Sequence, residues 1–143
     1  MEGAAHLQPV GSASASDLRS FLSAYADKPF AWGVDDCCLF LADWIEANYG
    51  FDPASTVRRT YSDQRSCRRL LFWSGGMVRL VSRLVSGAGI DRIRADQVRD
   101  GDIALIKVRR LKVGAIRVGR YWAVRNERVG FVSKAKVIRA WRI

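Results

Sequence analysis

The feature that most constrains the fold is a change of periodicity at Asp100-Gly101-Asp102. Before it, apolar residues recur at helical spacing. After it, they alternate in short β-branched runs separated by turn residues. Leu18, Phe21, Leu22 and Tyr25 mark a first helix, capped by Ser14 or Ser16 and ended by Pro29. Asp36 is the expected N-cap of a second helix that stops at Gly50. Its apolar positions Cys37, Leu39, Phe40, Leu41, Trp44, Ile45 and Tyr49 fill much of the circumference, so it should be central and deeply packed. Two more helices are expected, one starting at Ser62 and running through Phe72, the other from Met77 through Val85. They are separated by Ser74-Gly75-Gly76 and closed by Gly87-Ala88-Gly89. Strands are expected at 102–108, 112–118, 121–125, 128–132 and 136–142, with Gly119-Arg120 and Asn126-Glu127 as hairpin turns. Helices first and antiparallel strands afterwards predict an α+β domain. A flexible arm over residues 1–13 and a single domain over 14–143 are expected, and 143 residues are enough for one hydrophobic core.

Charge is distributed unevenly. Residues 1–57 carry two basic and eight acidic side chains, a balance of −6, and residues 58–143 carry 22 basic and six acidic ones, a balance of +16. Such polarity concerns partners and solubility rather than fold. Arginine dominates the basic part, which suits carboxylate or phosphate contacts. No apolar run is long enough for a membrane span, and residues 1–16 lack the basic start and apolar block of a secretory signal. Three cysteines, two of them adjacent, make neither a disulfide framework nor a tetrahedral all-cysteine metal site, so reduced thiols and no cofactor are expected.

The segment Pro29-Phe30-Ala31-Trp32-Gly33-Val34-Asp35-Asp36-Cys37-Cys38-Leu39-Phe40 delivers a cysteine to the first turn of a helix. Unpaired N–H groups and the helix dipole stabilise a thiolate there. The neighbouring carboxylates of Asp35 and Asp36 oppose that effect. The only histidine is His6, in the arm, whereas a cysteine hydrolase needs a base and an acid near the thiol. Cys37 therefore reads either as a nucleophile or as a small apolar residue of the packed helix. Trp32 and Asp36 are expected to line the cleft at Cys37. Cys38 faces about 100° away from Cys37 and is expected in the core, and Cys67 lies among Arg65, Arg68 and Arg69.

Three blocks together resemble the papain-like, NlpC-type cell-wall cysteine peptidases: the Trp32-Gly33 turn leading to Asp36-Cys37, the strand opening Asp100-Gly101-Asp102-Ile103-Ala104-Leu105, and Val113-Gly114-Ala115-Ile116-Arg117-Val118-Gly119. The resemblance implies a papain-like α+β fold, with a Cys-bearing central helix packed on a small antiparallel, partly closed sheet. It also implies a catalytic His directly before Val113-Gly114, where this chain has Lys112. The chain is also similar to a family encoded among phage and prophage tail genes. The shared features are the Pro-Phe-x-Trp-Gly opening, Arg58-Arg59-Thr60-Tyr61, and the ending Ala140-Trp141-Arg142-Ile143. That likeness implies a virion component at the tail tip, made in the host cytoplasm, with hub or distal tail subunits as partners.

The expected function is thus a structural tail-tip or tail-assembly protein on a degenerate peptidase scaffold. It would dock through a solvated basic strand face that includes Arg109, Arg110, Arg117, Arg120 and Arg125. The alternative is a peptidoglycan-cleaving hydrolase using Cys37, with Lys112 in place of His. A weaker alternative is nucleic-acid binding: no recognised motif supports it, and the alternation of Arg with apolar residues favours a protein partner.

Overall fold

The computed structural model describes residues 15–33, Asp36 and residues 38–143. The expected arm with His6, the cap of the first helix and Cys37 lie outside the described residues. The elements are α1 (Ala15–Ala26), α2 (Leu39–Tyr49), α3 (Gln64–Trp73), α4 (Met77–Gly87), β1 (Arg92–Ile93), a 3₁₀ turn (Ala95–Gln97), β2 (Ile103–Val108), β3 (Leu111–Val118), β4 (Tyr121–Arg125), β5 (Val129–Val132) and β6 (Lys136–Trp141). The architecture is α+β, with four helices and one six-stranded antiparallel sheet in the order β1-β6-β2-β3-β4-β5. Among the described residues no helix is long and apolar enough to cross a membrane.

Local chemistry accounts for the element ends. α2 stops at Gly50, which adopts φ +80° and donates its N–H to the Glu46 carbonyl. α3 begins at Gln64, two residues later than the expected start at Ser62. Asp63 caps it by accepting the Ser66 N–H, while Ser66 answers with its hydroxyl, so the two form a capping box. β1 was not expected, because two residues are too short to show alternation.

The helices cover one face of the sheet. Leu18, Leu22 and Tyr25 of α1, Phe40, Leu41, Trp44 and Ile45 of α2, and Val85 of α4 form one core with Ile103, Leu105, Ile116, Ala123 and Trp141. The other sheet face buries Ala104, Ile106, Ala115, Trp122 and Ala140. Four consecutive residues of β2 are therefore buried. Only residues 133–135 connect β5 to β6, yet four inter-strand spacings separate these strands in sheet order. A flat sheet would put them about 19 Å apart, and four residue steps span at most about 14 Å. The sheet must curl into a partly closed barrel, and that curl is what buries its second face.

Asp100-Gly101-Asp102 clasps this framework together. Trp44 donates its indole N–H to the Gly101 carbonyl at 2.7 Å. Asp100 accepts the Gly119 N–H at 2.7 Å. Buried Asp102 accepts the backbone N–H groups of Arg99 at 2.9 Å and Ile143 at 3.0 Å, tying the last residue of the chain to the first barrel strand.

Candidate functional site

The head of α2 is built around the carboxylate of Asp36, which is 1% exposed. One oxygen accepts the backbone N–H groups of Cys38 at 3.0 Å and Leu39 at 2.9 Å, capping the helix as expected of this residue type. The other accepts the Gly33 N–H at 2.9 Å and a short hydrogen bond from the Tyr61 hydroxyl. Four donors thus converge on one carboxylate. Burial raises the Tyr61 phenol above its ordinary range, and the adjacent Asp36 carboxylate raises it further.

Gly33 makes the turn fit. It adopts φ +79°, and a Cβ placed on it would lie 2.1 Å from the Tyr61 carbonyl oxygen. The Gly33 carbonyl in turn accepts the Arg59 N–H at 2.8 Å. The Trp32-Gly33 turn and the Arg58–Tyr61 segment are therefore laced together.

The Arg-x-x-Tyr spacing has a structural explanation. Asp36 caps α2 from just before its start, and Asp43 lies within the helix, seven residues on. Tyr61 bonds the first, and Arg58 bonds the second at 2.8 Å while also holding Asp52 at 2.9 Å. Burial raises the Asp43 pKa despite the Arg58 charge and the Tyr25 hydroxyl. Burial also acts on Asp52, but the bonds from Arg58 and the Ala54 N–H, with the charge of Arg58, outweigh it and lower its pKa. The carboxylates Asp36 and Asp43, at the head of the second helix and within it, were the available sequence signal for Tyr61 and Arg58.

Beside this head lies a small apolar cavity of about 50 Å³, whose walls include Cys38, Leu41, Tyr61, Cys67, Leu71 and Val81. Cys38 and Cys67 are both half-buried and both line it. Asp36 and Trp32 are not among the residues lining this cavity, and the cleft at Cys37 that they were expected to line falls on a residue outside the described ones. Asp36 is consumed by the cap beneath, and half-buried Trp32 packs edge-on against Phe30 at 5.1 Å. Among the described residues no cluster of three His, Cys, Asp or Glu side chains could hold a metal ion.

Residues 12–143 match the family model of a domain of unknown function, DUF6950. The chain belongs to that family. No match was found among curated proteins or solved structures. Within this DUF6950 domain, Lys112 is exposed at the start of β3 and pairs in register with Lys107. Trp44 reaches the opening of β2, whereas Phe40, one turn nearer the head of α2, packs on Tyr25, over whose ring Arg125 of β4 sits. The head of α2 is therefore directed toward the same sheet end as Lys112. Among the described residues no ion pair joins Lys112 to the capping site.

The single basic strand face expected from the sequence does not form. Arg109 and Arg110 occupy the β2–β3 hairpin at one end of the sheet. Arg117 and Arg120 lie at the opposite end, where Arg117 stacks over Trp122 at 5.0 Å. Arg125 is 1% exposed and so is no surface contact. Its guanidinium donates to the carbonyls of Tyr25 and Lys28 and lies over the rings of Tyr25 and Phe30. These carbonyl contacts, one at the end of α1 and one just beyond it, partly compensate the burial of this charge.

Proposed function

We propose that this protein is a phage tail-tip or tail-assembly component built on a degenerate, NlpC-type papain-like peptidase scaffold. The observation that carries the structural reading is the saturation of the α2 head. Asp36 spends its carboxylate on Gly33, Cys38, Leu39 and Tyr61, which makes the head a buttress. The position where the resemblance implies a catalytic histidine holds Lys112, and no histidine follows His6 in the sequence. Supporting the papain-like reading is the order of parts: a helix capped by Asp36 is packed along a partly closed antiparallel sheet that opens at Gly101-Asp102. In this reading the protein docks onto hub or distal tail subunits through the sheet end that carries Arg117 and Arg120.

A second reading, a peptidoglycan-cleaving thiol hydrolase using Cys37, is favoured by the apolar cavity beside the α2 head. Muropeptide release from purified peptidoglycan separates the two. The scaffold reading expects no release from the wild type or from Cys37→Ala. Release by the wild type that disappears in Cys37→Ala would establish the hydrolase.

A further inference from the structure

The sheet end carrying the β2–β3 hairpin collects charge in a way that strand pairing makes unfavourable. The chain has five lysines (Lys28, Lys107, Lys112, Lys134 and Lys136) among its 24 basic side chains, the rest being arginine. Three of the five, Lys107, Lys112 and Lys136, come to this one end, and Lys134 lies two residues before Lys136 in sequence. Lys107 pairs with Lys112 across one ladder and with Lys136 across the other, so three ammonium groups share a rung, with neighbouring strands about 5 Å apart. These three are exposed, as are Lys134, Arg109 and Arg110, and among the described residues none of the six is ion-paired. From residue 103 to the end of the sequence the only acidic side chain is Glu127. Like charges directly opposite one another destabilise a sheet. The hairpin adds a second cost, because Arg109 adopts φ +56°, where Gly or Asn is the low-energy choice.

A repelling rung next to a strained, outward arginine is unfavourable for folding alone, and an external polyanion relieves the repulsion. The chemistry at this end points to phosphate. Three ammonium groups on one rung, with Arg109 beyond them at the hairpin, form a row of closely spaced positive charges that complements the closely spaced negative charges of a phosphate backbone. The exposed aromatics of the sheet, Tyr121 and Phe131, pair with Val118 and Ala123, away from the rung. The rung therefore lacks a stacking platform for unpaired bases. We infer that this end of the sheet binds the phosphate backbone of duplex DNA without reading its sequence, through Lys107, Lys112 and Lys136 with Arg109 at the hairpin tip. The inference is independent of the tail-tip reading and uses a different end of the molecule.

Anisotropy of a short labelled DNA duplex, titrated with the full chain across a salt series, tests it. Each phosphate contact contributes about 0.9 to the slope of log affinity against log salt. Lys107→Gln/Lys112→Gln/Lys136→Gln should therefore flatten the slope by roughly 2 to 3 and weaken binding more than tenfold at fixed salt. Its circular dichroism should match the wild type, with an equal or higher Tm because repulsion is removed. A charge-matched control on the exposed face of α3, Arg65→Gln/Arg68→Gln/Arg69→Gln, should keep the wild-type slope. Equal losses in both variants would mean attraction by net charge alone and overturn the proposal. Poly-L-glutamate displacing the duplex as well as unlabelled DNA does would overturn it in favour of an acidic protein surface. Absence of wild-type binding at low salt would overturn it outright.

Discussion

Gly33 and Tyr61 carry more of the α2 head than their sizes suggest. At Gly33 two constraints coincide, a left-handed φ and a backbone carbonyl where a Cβ would sit. Gly33→Ala is therefore expected to destabilise by about 2–4 kcal/mol, more than conformational preference alone, because the 59–61 strand of the loop must move. Equilibrium urea unfolding measures it, and a loss below the preference term would show that the turn yields easily. Tyr61→Phe removes one donor from a buried carboxylate while keeping the ring. The expected cost is about 1.5–3 kcal/mol, typical of hydrogen bonds to charged groups, with unchanged cooperativity in the same experiment. Arg125 shows the converse case, a charge whose surroundings, not its type, decide its exposure. Its strand position shares the face of buried Ala123, and the carbonyls that receive it belong to Tyr25 of α1 and to Lys28 just after it, far away in sequence.

Each element can be traced to its own chemistry, and one carries a removable defect. α3 has no buried residue and is held by half-buried Cys67, Leu70 and Leu71 over the apolar cavity, so it depends on packing by its neighbours. The β2–β3 hairpin is the opposite, fully paired along its length but electrostatically frustrated at its tip. Replacing Lys107 with Thr removes two like-charge pairings at once and puts a good strand former in the rung. A gain of about 0.4–2 kcal/mol is expected, from about 0.2–1 kcal/mol per pair. Arg109→Gly relieves the positive φ and is expected to raise Tm modestly, by an amount equivalent to about 1 kcal/mol at most. Thermal melts of both variants at low and high salt check this. The Lys107 gain should shrink as salt screens the repulsion, whereas the backbone part of the Arg109 gain should persist at high salt.

At the scale of the whole molecule, buried carboxylates link stability to pH in two directions. Burial raises the pKa of Asp102 above 3.8 in the fold, despite the N–H groups of Ile143 and Arg99, so the native state takes up its proton before the unfolded chain does. Relative to Asp102→Asn, the wild type should therefore gain stability as pH falls from neutral through the raised pKa toward 3.8. Asp52, held low by Arg58, behaves oppositely: its contribution is present above 3.8 and lost as pH falls through its depressed folded value. Urea unfolding of wild type, Asp102→Asn and Asp52→Asn from neutral to acid pH should show the first difference widening and the second closing. Helices, strands, the Asp36 cap and the hairpin turns were legible in the sequence because each is set by interactions within a few residues. Asp36 is next to its helix, and alternation is a local property of a strand. The short β1, the burial of Arg125, the division of the arginines between two sheet ends and the meeting of Lys107, Lys112 and Lys136 were not legible. They depend on register and on the curl of the sheet, which bring together side chains that no local pattern relates. Sequence alone determined which segments become helix or strand and where one class gives way to the other. The tertiary structure decided which charges are buried, which are paired and which are left facing one another, because desolvation and Coulomb energies depend on distances that only the folded chain sets.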